Sequence, residues 1–285
     1  MHEAMLAGRN AALDATLDTA GWAIPAPVTL MRDPDGVRAR SVAAGVEGAP
    51  VVIRGALPAP DLFSFAALYN TNVDQSDTHE LRLYSGAAYT GLVWTSERVP
   101  VIPPMLDPAT LLFEDPRLFS GGLYPEEWRA WPSTLSLFPP AIYGQSFEWR
   151  VWSAGVRSDG APAGYVEVDH LFLGDGLFFT LQEGSGVELD TGASSRNEGG
   201  RSIWSPGEQL RTATLPLSYV RPALVDRIIT IVRAAGGVSP IAWVPDRDDP
   251  VTSFLHGFLA RCPRAARQWP SGGWADTSLT LVEYR

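Results

Sequence analysis

The chain has 285 residues, 45% hydrophobic and 19% charged, which gives ample material for a core and excludes a mainly disordered polypeptide. Its 22 basic residues are all arginine and face 32 acidic ones, a net charge of -10, so electrostatic binding to nucleic acid is excluded as well. One cysteine excludes an internal disulfide framework, and no stretch reaches the roughly 20 apolar residues of a membrane-crossing helix. The start, Met1-His2-Glu3-Ala4-Met5, lacks the pattern of a signal peptide, and a soluble chain made in a cytoplasm is expected.

In chain order, residues 4–19 are Ala-rich, with Leu6, Leu13 and Leu17 spaced to share a face, which predicts a helix. Gly21, Pro25 and Pro27 would end it, leaving residues 1–27 as an N-terminal helical arm, either docking elsewhere or packed on its own chain. Short apolar runs follow. Residues 28–31 read as a strand before the turn Asp33-Pro34-Asp35-Gly36, and residues 51–53, 62–68 and 92–94 read as further strands. Leu81-Arg82-Leu83-Tyr84 alternates, as do Phe147, Trp149 and Val151.

Between them, the prolines of residues 99–141 exclude long regular elements but allow short helical turns at 108–113 and 125–131. Residues 165–173 then close a first half before Gly174-Asp175-Gly176. Beyond it, residues 186–189 and 210–219 are strand-like, and 222–235 form the best helix candidate. Pro222 suits its first turn, Leu224, Ile228, Ile231 and Val232 share its face, and Gly236-Gly237 stops it. Residues 241–244 read as a buried strand, 245–250 as a turn and 278–284 as a final alternating strand. The fold class is mainly β: an antiparallel β-sandwich domain over 28–175 with a Pro-rich insertion at 99–141, then a smaller α+β domain over 176–285.

No nucleophile elbow, phosphate-binding glycine loop or H-E-x-x-H motif is present. His2, His79, His170 and His256 lack zinc-ligand spacing, and Cys262 reads as a structural thiol. Asp246-Arg247-Asp248-Asp249 lacks the glycine and glutamate of a calcium loop and reads as a solvated turn. Glu126 and Glu127, beside Trp128 and Trp131, would point apart on a helix and suit its N-terminus better than a paired-carboxylate site. Of the aromatic group at 143–152, Phe147 and Trp149 belong to a core, whereas Tyr143 and Trp152 are candidates for an exposed platform on which a sugar would stack. No enzyme, cofactor or metal is expected.

The run Phe65-Ala-Ala-Leu-Tyr-Asn-Thr-Asn72, with Leu81-Arg-Leu-Tyr-Ser85 and Ala88-Tyr-Thr90, resembles structural proteins of long-tailed bacteriophages. Residues 164–174 are similar to the strand that ends their first sandwich, with Asp169-His170 where Gly-Arg often stands. Residues 244–250 and Gly257 resemble the segment after the helix of their second domain. The resemblance implies a virion tail-tip or baseplate component, made in the host cytoplasm, with a jelly-roll-like domain similar to carbohydrate-binding modules. Its implied partners are other tail or baseplate proteins and copies of itself, and it supplies no catalytic residue. The alternative is a carbohydrate-binding adhesion module contacting a host surface glycan.

Overall fold

The computed structural model describes residues 3–32, 37–74, 76–101, 133–153, 164–190, 194–198, 201–205, 210–236, 239–268 and 274–284. The expected turn at 33–36, the helical turns at 108–113 and 125–131, and the Glu126–Trp131 group lie outside these residues. Among the described residues the architecture is mainly β, with every named strand pairing antiparallel. An outer sheet runs in the order Thr16–Leu17, Val51–Phe63, Ile142–Trp152, Thr78–Tyr84, Leu92–Thr95, with Val99–Pro100 also paired to Thr78–Tyr84. Facing it is a three-stranded sheet of His170–Gly174, Phe65–Thr71 and Ser133–Leu137. At Ser64 the chain passes from the outer sheet into the facing one, giving the jelly-roll-like sandwich.

The second half supplies the α+β part. Its seven-stranded sheet runs Leu177–Thr180, Glu3–Ala7, Ile241–Val244, Phe258–Gln268, Ala275–Glu283, Leu210–Val220, Gly186–Asp190, accompanied by the helices Pro222–Ala235 and Pro250–His256. The longer helix begins and ends where the sequence predicts. Pro222 fills its first turn, and Gly236 takes the left-handed conformation (φ 60°) that donates its N–H back to Arg233 and Val232.

Strand periodicity assigns each side chain to one of three apolar layers. Ile53, Leu81, Leu83, Phe147, Trp149 and Val151 of the outer sheet meet Ala66, Leu68, Leu171 and Leu173 of the middle sheet. The alternate positions of that middle sheet, Phe65, Ala67, Tyr69 and Phe172, turn the other way onto Met5, Ala7, Ala242, Val244 and Leu259. On the far side of the seven-stranded sheet, Leu6, Trp243, Phe258 and Leu279 pack with Ile228 of the long helix. The middle sheet is therefore buried on both faces.

Two expectations are corrected. The N-terminal segment is not a helical arm: Glu3–Ala7 is a strand in the interior of the seven-stranded sheet, pairing Leu6 with both Leu177 and Trp243. Ala11–Leu13 is a single 3-10 turn, and Thr16–Leu17 is an edge strand of the outer sheet. Ala4, Met5, Leu6 and Ala7 are wholly buried on both faces, so tertiary pairing outweighs the local helical preference of alanine and leucine. Likewise, 28–31 is not a strand. Val28–Arg32 is a 3-10 helix anchored by the buried Val28 and Met31.

Asn10 joins these parts. Its Nδ2 donates to the Leu171 carbonyl (2.8 Å) and approaches His170 Nε2 (3.2 Å), while its Oδ1 accepts from the N–H groups of Leu173 and Ala12 (both 3.0 Å). The side-chain amide thus stands in for a neighbouring strand along the open edge of His170–Gly174 and caps the 3-10 turn as well. Replacing Asn10 with alanine strands a buried carbonyl and a buried N–H, and is expected to cost roughly 3 kcal/mol in denaturant unfolding. A loss under about 1 kcal/mol would show that water restores those bonds.

His79 is buried beneath Trp149. The Trp149 indole donates to His79 Nδ1 at 3.2 Å, and the rings stack 5.7 Å apart. Burial pushes His79 down to about 4 from its ordinary 6.5. The unfolded chain therefore takes the proton first, so this contribution to stability is complete above pH 6.5 and is lost as pH falls towards 4. The expected loss across that window is about 3 kcal/mol, and His79→Gln should flatten the pH profile there.

Candidate functional site

A cleft of about 590 Å³, within the size range of small-molecule sites, opens where the first turns of the chain meet the long helix. Two glycines let its walls approach. A Cβ on Gly8 would lie 2.5 Å from Ile231 Cγ2, and one on Gly174 would lie 2.3 Å from the Arg9 carbonyl oxygen. At the rim, Arg9 forms a two-point ion pair with Asp61 (2.9 and 3.3 Å). Deeper, Asn10 fixes His170. Asp14, at the end of the 3-10 turn, and Tyr284, whose ring lies 4.0 Å from the Arg261 guanidinium, line the cleft as well.

Arg32 differs from Arg9, the other arginine of the cleft. It ends the Val28–Arg32 turn and lines the cleft, with its Nε buried and without a hydrogen-bond partner. Among the described residues it also makes no ion pair. On the outer sheet, by contrast, charges are matched across and along strands. Arg54 donates to Glu148 at 2.6 Å, Arg150 binds the other Glu148 oxygen, and Arg82 and Thr95 both donate to Glu80 (2.8 and 3.0 Å). Burial alone would raise the Glu148 carboxyl, but the Arg54 and Arg150 guanidinium groups outweigh it and hold it below the usual range. That face is a self-satisfied ladder; the cleft is not.

The structure does not bring Tyr143 and Trp152 together. They lie nine positions apart on one strand, a separation of roughly 30 Å. Tyr143 is 66% exposed, whereas Trp152 is only 8% exposed and has the Arg98 guanidinium 4.6 Å from its ring centre. Cys262 is buried and donates to the Arg264 carbonyl, and burial raises its thiol. The acidic run at 246–249 is tied into local structure. Asp249 caps the helix Pro250–His256 through the N–H groups of Val251 and Thr252, and Asp246 accepts from the Asp248 N–H. Arg247 meanwhile pairs with Glu3 and Asp248. Among the described residues no group of three or more His, Cys, Asp or Glu side chains is arranged to hold a metal ion.

Sequence reasoning missed Arg9, Asn10, Asp14, Arg32 and Tyr284 because they come from separate segments and the first of these was read as helix. One signal was available: Gly8-Arg9-Asn10 interrupts the alanine-rich run with a helix breaker and a capping residue. Trp152→Ala is expected to cost roughly 2–4 kcal/mol as a core truncation, against less than about 0.5 kcal/mol for Tyr143→Ala, both measured by chemical unfolding.

No protein-family model and no curated protein matches the chain. Among solved structures, it is similar to the lectin domain of lectinolysin complexed with Lewis B antigen, at 11% identity and a TM-score of 0.37, covering 58% of this chain and 95% of that one. It is also similar to CBM32-3 from a family 31 glycoside hydrolase from Clostridium perfringens, at 11% identity and a TM-score of 0.36, covering 58% of this chain and 97% of that one. Overlap of that extent carries no weight for function, which has to be read from this chain's own surface.

Proposed function

We propose that the chain is a carbohydrate-binding module that holds a saccharide in the cleft and does not turn it over. The observation that carries this reading is the convergence of planar hydrogen-bonding side chains, Arg9, Asp14, Arg32 and the Asn10–His170 pair, with one aromatic ring, Tyr284, in a space of about 590 Å³. Sugar hydroxyls both donate and accept, so mixed carboxylate, guanidinium and imidazole partners suit them. An aromatic ring supplies apolar area for the C–H face of a pyranose. The cleft is assembled on the seven-stranded sheet, the middle sheet and the long helix, so its walls are pre-formed and little ordering free energy is lost on binding.

Screening the purified chain on a glycan array, with calorimetry on the hits, tests the reading. Saccharide binding is expected in the micromolar to millimolar range. It should be abolished by Thr230→Trp or Ala234→Trp, which fill the cleft from exposed positions on the long helix, with the unfolding midpoint unchanged. Binding that survives both tryptophan variants would remove the cleft from the account, and an array with no hits would remove the function.

A second reading, assembly as a virion tail or baseplate subunit, is favoured by a different surface. Ile24 is 95% exposed and Val42 is 69% exposed, on neighbouring segments joined by the Ala23–Arg40 and Val42–Gly21 backbone hydrogen bonds. A second copy of the chain would cover them. Light scattering giving a monomer at high protein concentration would set this reading aside.

A further inference from the structure

We infer that the ligand of the cleft carries a carboxylate, and that Arg32 is the residue that receives it; this rests on the saccharide reading above and assigns the class of sugar as acidic. The other arginine lining the cleft is committed: Arg9 pairs with Asp61. Of the arginines that line the cleft, Arg32 alone makes no ion pair among the described residues, and its buried Nε has no hydrogen-bond partner. A buried unpaired donor on a permanently charged group is a standing cost to the fold. Nothing structural requires it, because Val28 and Met31 already anchor the turn from which Arg32 projects.

A carboxylate answers this geometry more fully than a hydroxyl does. Its two oxygens match one N–H on each Nη of a guanidinium as a parallel pair, and both bonds are charge-assisted. Asp14 lies in the same lining and repels an anion, which leaves it to accept the ring hydroxyls and confines the ligand's acid group to the Arg32 side. The protein's net charge of -10 also disfavours anions at long range, so capture must be short-range and local, as a partly buried bidentate contact is.

Calorimetry with paired ligands tests this: galacturonic and glucuronic acid oligosaccharides, the corresponding neutral galactose and glucose oligosaccharides, and acetate alone. The acidic sugars are expected to bind at least about tenfold more tightly than the neutral ones, with an affinity that falls as sodium chloride rises. Arg32→Gln should remove the advantage of the acidic sugars, bringing the two classes to within about twofold of each other, and Arg32→Lys should restore only part of the difference. The thermal midpoint of Arg32→Gln should equal or exceed that of the parent, which separates loss of a ligand contact from loss of fold. Equal binding of acidic and neutral sugars, unaffected by Arg32→Gln, would overturn the inference and leave the saccharide reading standing. Acetate binding without any saccharide binding would overturn that reading together with the sugar half of the inference, and no binding by any of the three classes would overturn both.

Discussion

The middle sheet constrains everything else in this fold. Its three strands are covered on both faces, by the outer sheet on one side and by the seven-stranded sheet on the other. A buried strand edge must find partners for its N–H and C=O groups. For His170–Gly174 those partners come from one side chain, Asn10, which makes the bonds that a further strand would have made. The same amide orients His170 and closes the turn that leads to Asp14. Satisfying the sheet edge and shaping the cleft are therefore one event.

The use of arginine separates structural from ligand-directed charge. On the outer sheet the guanidinium groups of Arg54, Arg150 and Arg82 each meet a carboxylate across or along a strand. In the second half, Arg211 is buried with Glu283 and also donates to the carbonyls of Leu255 and Gly257, so its fork is shared between side chain and backbone. A lysine could not replace it, since one ammonium has neither the reach nor the planarity to serve two carbonyls and a carboxylate. Against this background Arg32 stands out among the arginines lining the cleft, because it meets no carboxylate among the described residues.

Periodicity made part of the fold legible in the sequence. Where one face of an element meets a core and the other meets polar surroundings, as with Leu81 and Leu83 or Phe147, Trp149 and Val151, alternation identifies both the strand and its buried side. The long helix was readable to the residue because Pro222 and Gly236 act through backbone geometry, not through context. The N-terminal strand was not readable. Ala4–Ala7 is buried on both faces, which removes the period that distinguishes strand from helix, and its residue types favour the wrong answer. The candidate platform failed for a related reason. Tyr143 and Trp152 share a strand, but what covers Trp152 is Arg98, from a distant segment that no local pattern contains. The cleft was invisible throughout, since its lining is scattered from Gly8 to Tyr284.

The central position of Glu3–Ala7 has a kinetic side. This strand is held between Leu177–Thr180 and Ile241–Val244, so the earliest-made part of the sheet is completed by some of the latest. During synthesis those apolar residues emerge long before either neighbour exists, and the gap they must fill stays open until residues near Trp243 arrive. Folding of the whole sheet is then governed by closing very long loops, the slow regime of chain topology, in which exposed apolar strands invite association with other chains. Once the gap is filled, the same connection works in reverse. A segment hydrogen-bonded along both edges cannot fray alone, so opening Glu3–Ala7 means opening the sheet.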